Sequence, residues 1–91
     1  MADIKPVRLQ TFLPDKELLV STARRVGRVG DPVAETLVFR TDRRGNVLSW
    51  DPVYAERYPL DMPEEELQAA HERVVERTRA GELEGLAAVA D

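Results

Sequence analysis

The sequence predicts a small α+β fold, in which an antiparallel β-sheet of three to four strands is packed by one C-terminal α-helix. Two groups of observations lead there: the first half holds strand-like segments separated by turn residues, and the second half holds one amphipathic helix. The chain has 91 residues, of which 43% are hydrophobic and 33% are charged. That size and composition predict one domain over residues 1–91, with a loose N-terminus over 1–5 and a tail over 82–91 that frays or adds a short helix.

Two strands are predicted in the first quarter of the chain. Residues 7–13 alternate partly between apolar and polar side chains, which is typical of a strand. Pro14 and Asp15 then favour a turn. Residues 17–25 include Val, Ser and Thr, which lower helix preference, and we expect them to form a strand that pairs back on the first. Residues 26–32 contain two glycines and one proline and are predicted to be a mobile loop.

A second hairpin is the best local signal. Residues 36–41 and 46–50 read as strands, and the segment 42–45 has the residue types of a three-residue hairpin loop with glycine in the left-handed position. The implied register places Arg40 opposite Leu48 and Val38 opposite Trp50. Both faces of this hairpin are then apolar, although an antiparallel sheet usually needs only one apolar face. One helix cannot cover both faces, so the sequence predicts a further covering element or a second molecule.

The remaining residues are expected to form a linker and the helix. Two prolines interrupt residues 51–59, and the segment 53–58 is interpreted as one helical turn or an edge segment of the sheet. Asp61 is the predicted N-cap, with Glu64 completing a capping box and Gly81 ending the helix. The predicted buried stripe has a spacing of three and four residues and consists of Leu67, Ala70, His71, Val74, Val75 and Thr78.

Composition excludes several classes of function. The chain has no cysteine, which excludes disulfides, thiolate nucleophiles and cysteine-based metal sites. Its one histidine excludes a histidine-only metal site within one chain. We therefore expect no metal, no cofactor and no catalytic residue. No apolar run approaches the roughly 20 residues of a membrane helix, and the first residues lack the pattern of a secretory signal, so the expected compartment is the cytoplasm.

Charge is distributed unevenly along the chain. Residues 1–50 carry nine Lys/Arg against six Asp/Glu (+3), whereas residues 51–91 carry four against eleven (−7). Such asymmetry can mark a nucleic-acid-binding surface, although a pI of about 5.0 favours a solvated surface instead. The candidate nucleic-acid contacts are Arg24, Arg25, Arg28, Arg43 and Arg44.

Two side chains invite a functional interpretation. His71 is expected to pack its ring at the edge of the core and to bond a backbone carbonyl or a tyrosine hydroxyl, with a general base as the alternative. Aromatic and arginine side chains dominate binding hot spots, so Trp50 is the first candidate for a binding residue. Its predicted neighbours in a binding patch are Val38, Leu48 and Arg40, and the alternative is that Trp50 belongs to the core.

Several spaced segments resemble a group of small proteins encoded in bacteriophages and actinobacteria. They are Val20-Ser21-Thr22, Glu35-Thr36-Leu37-Val38-Phe39, Trp50, Glu56-Arg57-Tyr58, Glu65-Glu66, Ala70-His71-Glu72 and Val75. The chain departs from the group in its proline-rich link before the helix and in having Ala70 where a glycine is expected. The resemblance covers about two-thirds of the chain and implies a strand–strand–helix order, but no activity.

These observations favour a non-enzymatic protein-interaction module that self-associates as a homodimer. The resemblance suggests an accessory or host-modulating role of the phage type. Nucleic-acid binding through the arginine clusters is the alternative, and an enzyme centred on His71 is a third hypothesis.

Overall fold

The computed structural model describes residues 5–26 and 32–82 and confirms the predicted α+β class. A sheet of four strands has the order β1-β2-β3-β4, and each strand runs antiparallel to its neighbours. One helix, α1, packs on the sheet. The elements are β1 (Val7–Leu13), β2 (Leu18–Arg25), β3 (Val33–Arg40), β4 (Tyr54–Tyr58) and α1 (Glu64–Arg79). The segments 1–4, 27–31 and 83–91 lie outside the described residues, so the predicted mobile loop and tail fall largely there.

The core lies between α1 and one face of the sheet, which we call the inner face. Val20 and Val38 are fully buried there against Val74 and Val75 of α1. Nearer the start of the helix, Leu67 closes a second cluster with side chains of β1 and β3. The six residues of the predicted helix stripe are the six that α1 buries, because a period of 3.6 residues places them on one side of the helix. No helix in the described part of the chain has the length and apolar character needed to cross a membrane.

The hairpin turn after β3 forms as predicted. Gly45 has a φ of 93° and its N–H donates to the Asp42 carbonyl (3.2 Å). The Leu48 N–H donates to the Arg40 carbonyl (2.9 Å), which is the predicted register. Thr41 forms an isolated bridge with the residue opposite it, and there the pairing ends.

The predicted strand over residues 46–50 is wrong, and so is the predicted pairing of Val38 with Trp50. The fourth strand is β4, where Val38 pairs with Tyr54. The Val53 N–H donates to the Val38 carbonyl (2.8 Å), so this edge of β3 is already occupied. Pro52 cannot donate to a sheet ladder, which helps the chain to leave β3 and return one segment later. Of the two interpretations of segment 53–58, the edge segment is the one observed.

The predicted N-cap and capping box are also wrong. Asp61 lies exposed in a turn, and Pro63 occupies the N-cap position without a side-chain cap. The Pro63 carbonyl accepts hydrogen bonds from the Glu66 and Leu67 N–H groups (both 3.0 Å), so the backbone alone starts the helix. At the other end, Gly81 has a φ of 80° directly after the C-cap residue, as the sequence predicts.

Candidate functional site

The sheet presents a second face, opposite α1, which we call the outer face. Side chains alternate along each strand, so every second residue of β1–β4 points away from the helix. The observed register aligns these residues in three rows that cross the sheet. The aromatic row is Phe12, Leu19 and Phe39; the middle row is Gln10, Ser21, Leu37 and Ala55; the basic row is Arg8, Ala23, Glu35 and Arg57. The outer face therefore changes from apolar to charged along the strands.

A groove of about 850 Å³ follows the outer face. It extends from Trp50 beside the aromatic row to Pro6 and Val26 beyond the basic row. Leu19 and Leu37 line its floor and are half-buried, and the described residues place no helix over them. Apolar side chains that remain partly exposed in one continuous groove are typical of a binding surface.

The aromatic end of the groove is built by the segment that leaves the sheet after β3. The Trp50 ring meets the Phe39 ring edge to face, with centroids 5.3 Å apart and an interplanar angle of 72°. Even so, 74% of Trp50 is exposed. Gly45 lies over Phe12, because a Cβ atom at this glycine would be 3.4 Å from the phenyl ring. The hairpin therefore shields Phe12 and leaves the indole ring projecting beside the groove.

The basic end carries more positive than negative charge. Arg25 lies two residues after Ala23 on β2, so it points to the same face just beyond the basic row. Its Nη2 is 3.2 Å from Oε2 of Glu35. Nε of Arg57 is 3.7 Å from Oε1 of the same carboxylate. Both guanidinium groups are largely exposed, so these ion pairs add little stability. With Arg8 of β1 included, this end of the face holds three arginines and one carboxylate.

The structure separates the four predicted binding residues. Val38 is fully buried on the inner face and belongs to the core. Trp50 lies against Phe39 on the outer face. Arg40 and Leu48 are neighbours through their backbones, and 66% of Leu48 is exposed. The four residues therefore do not form the predicted patch, because the fourth strand of the sheet is β4 and not residues 46–50.

The predicted arginine cluster is divided as well. Arg24 is buried, and its guanidinium group donates to the carbonyls of Lys5 (2.8 Å), Leu60 (3.3 Å) and Met62 (2.5 Å). It ties the N-terminal residues to the start of the helix. Arg25 faces the opposite side of the sheet, and Arg28 lies outside the described residues. Arg43 and Arg44 are exposed at the hairpin tip.

A chain of hydrogen bonds crosses the buried interface between α1 and the sheet. His71 Nε2 is 2.9 Å from the Thr11 hydroxyl, and Nδ1 is 2.7 Å from the Thr22 hydroxyl. The chain continues from Thr22 to the Thr36 hydroxyl (2.6 Å), from there to the Tyr58 hydroxyl (2.8 Å), and finally to the Glu56 carboxylate (2.9 Å). His71 is thus bonded by threonines, and not by a carbonyl or tyrosine as the sequence suggested.

The direction of this chain follows from counting protons. An ionised Glu56 only accepts hydrogen bonds, so Tyr58 must donate its single proton to it. Thr36 then donates to Tyr58, and Thr22 donates to Thr36. The Thr22 oxygen is left to accept from His71, which therefore carries its proton on Nδ1. Nε2 accepts from Thr11, and each group in the chain is satisfied.

The pKa values agree with this assignment. Burial lowers the pKa of His71 below its ordinary value of 6.5, which favours the neutral ring. Burial works to raise the pKa of Glu56, but hydrogen bonds from Tyr54, Tyr58 and Arg73 outweigh it and lower the pKa below 4.5. Burial, assisted by the Glu56 carboxylate, raises the pKa of Tyr58 to about 12. At neutral pH this chain of hydrogen bonds therefore ends in the negatively charged Glu56 carboxylate, and its other groups are neutral.

Sequence reasoning missed the outer-face rows and the partners of His71. A signal for the partners was present, because Thr22 and Thr36 stand two residues from Val20 and Val38 on the same strands. Polar residues in step with core valines indicate a buried hydrogen bond. Predicting the outer-face rows requires the pairing register of β2 with β3, and local sequence patterns do not specify that register.

Comparisons with family models, with curated proteins and with solved structures gave no match.

Proposed function

We propose that this chain is a small non-enzymatic interaction module that self-associates through the outer face of its sheet. One observation carries the proposal: α1 packs on the inner face only, while the outer face keeps a groove with half-buried leucines beside an exposed tryptophan. A chain of this size buries only about 60–65% of the surface it would expose unfolded, so covering a further apolar face also stabilises the fold.

The size of the outer face sets the expected strength of association. Four strands spaced by about 4.8 Å, with up to eight residues rising about 3.4 Å each, span roughly 19 × 27 Å. A standard interface buries about 800 Å² on each partner, and this area of roughly 500 Å², enlarged by side-chain relief, lies at the small end of that range. We therefore expect a reversible dimer whose population depends on concentration.

The experiment compares two leucine-to-glutamate variants by sedimentation velocity over a wide range of concentration. Leu37→Glu introduces a carboxylate into the middle row and is expected to abolish association. Leu48→Glu introduces the same charge on the exposed hairpin outside the outer face and is expected to leave association unchanged. A natural chain that stays monomeric at every concentration would overturn the proposal.

A further variant tests the interface in case Leu37→Glu fails to fold. Trp50→Ala removes a side chain that is 74% exposed, so the fold should survive while the aromatic end loses its largest contact. We expect weakened association with an unchanged circular dichroism spectrum. Unchanged association of a folded Trp50→Ala chain would exclude the aromatic end from the interface.

Nucleic-acid binding stays the alternative prediction, and the geometry favours it less. Arg24 bonds three backbone carbonyls, and Arg25 lies away from the hairpin tip that holds Arg43 and Arg44. Binding through phosphates would weaken steeply with added salt. A salt-sensitive mobility shift that is lost in an Arg43→Gln/Arg44→Gln variant would restore this alternative. The phage-type accessory role also stays a prediction.

A further inference from the structure

We infer that two copies stack outer face on outer face with their strands antiparallel, so that the aromatic end of each copy meets the basic end of the other. This arrangement rests on the proposed self-association and adds its geometry. The observation behind it is the polarity of the outer face. The aromatic row and the basic row are four residues apart along each strand, a separation of about 14 Å.

A closed dimer of two identical faces requires a two-fold axis in the plane of the interface. An axis parallel to the strands would place like rows on each other, so that six arginines would meet with only two Glu35 carboxylates among them. An axis across the strands reverses one copy, so that each arginine group meets the aromatic end of the other copy, where the Trp50 ring is exposed. Guanidinium groups bind to the faces of Trp and Phe rings, whereas opposed like charges disfavour association.

The middle row fits the same arrangement. The axis across the strands passes through this row, so it packs against itself at the centre of the dimer. Ser21 and Ala55 are small, and Leu37 supplies apolar contact between them. Small central side chains allow the two sheets to approach the usual spacing of about 10 Å.

A head-to-tail assembly is the competing arrangement of two copies. The basic row could meet the exposed side of α1, which carries Glu65, Glu72 and Glu76. Among the described residues of α1, however, the exposed side has no apolar side chain larger than alanine. The apolar part of the outer face would therefore gain little burial there, and such contacts would continue into an open chain of copies.

Single engineered cysteines on β2 test the geometry, because the natural chain has none. An axis across the strands places β2 over its own copy with reversed direction. Leu19→Cys of one copy then faces Ala23→Cys of the other, while each variant alone has its two thiols about 14 Å apart along the strands. We expect a short bis-maleimide to link a mixture of the two variants and to leave each variant alone unlinked.

Two controls separate the arrangement from the proposed function. Ser21→Cys lies near the axis in either face-to-face arrangement and should crosslink with itself whenever the outer faces meet. Leu48→Cys, outside the outer face, measures random crosslinking. If Ser21→Cys links but Leu19→Cys alone also links, the antiparallel arrangement is overturned and the proposed function stands. If Ser21→Cys gives no more product than Leu48→Cys, the arrangement and the proposed function are both overturned. Species larger than a dimer in sedimentation of the natural chain would indicate head-to-tail assembly and overturn the arrangement.

Discussion

Replacing Thr22 with valine removes one hydroxyl from the middle of the buried hydrogen-bond chain without changing the shape of the side chain. Thr22 is fully buried, and its oxygen accepts from Nδ1–H of His71 while its proton goes to Thr36. The substitution leaves the imidazole N–H without an acceptor inside the core. An unpaired buried donor destabilises a protein by about 1–3 kcal/mol, so we expect a loss of about 2 kcal/mol. In a domain of this size that corresponds to about 8–16 °C in Tm.

Thr78→Val is the matched control for this prediction. Thr78 is equally buried on α1, but its hydroxyl donates to the Val74 carbonyl (2.7 Å) within the same helix. That carbonyl keeps its helical hydrogen bond after the substitution, so the expected change in stability is near zero. Urea unfolding followed by circular dichroism measures both variants. Equal losses of unfolding free energy in Thr22→Val and Thr78→Val would refute the claim that the buried hydrogen-bond chain holds His71 in place.

Three further predictions follow from the same contacts. In ¹⁵N-resolved spectra at pH 7, neutral His71 should carry its proton on Nδ1, and a proton on Nε2 would contradict the direction of the chain. Because the pKa of Glu56 is lowered in the folded state, its contribution to stability is complete above pH 4.5 and is lost as the pH falls through the lowered pKa. The Tm difference between the natural chain and Glu56→Gln should therefore shrink on acidification, and a constant difference would show that ionisation of Glu56 is irrelevant. Arg24→Met should destabilise the fold by about 2–4 kcal/mol, because it removes hydrogen bonds from a buried charged group to three carbonyls. Chemical denaturation measures this loss of stability. An unchanged denaturation midpoint would show that these hydrogen bonds are dispensable.

Elements with a strong local period could be predicted from the sequence. The buried stripe of α1 repeats every three to four residues, and β1 alternates in step with its burial. The turn at residues 42–45 could be predicted because it requires a left-handed backbone conformation that its glycine adopts readily. In each case neighbouring residues alone determine the pattern.

The identity of the fourth strand depends on distant residues instead. The segments 46–50 and 54–58 both compete for the free edge of β3. The second one succeeds with the Tyr58 hydroxyl bonded to Thr36 and Glu56 bonded to Arg73 of α1. Tyr58 and Thr36 are 22 positions apart in the sequence, and Arg73 and Glu56 are 17 positions apart. Local propensity therefore carries no information about either contact. The error carried over to the candidate site, because it placed Trp50 beside Val38 when it lies on the opposite face.

The fluorescence of Trp50 tests self-association through the outer face most directly. It is the only tryptophan of the chain, and it stands exposed at the aromatic end of the groove. Association through this face transfers the indole from water into the interface. We predict that its emission shifts to shorter wavelength as the concentration of the natural chain rises, and that the Leu37→Glu variant retains long-wavelength emission throughout. Emission of the natural chain that stays at long wavelength while sedimentation shows a dimer would contradict the account, because the copies would then meet elsewhere.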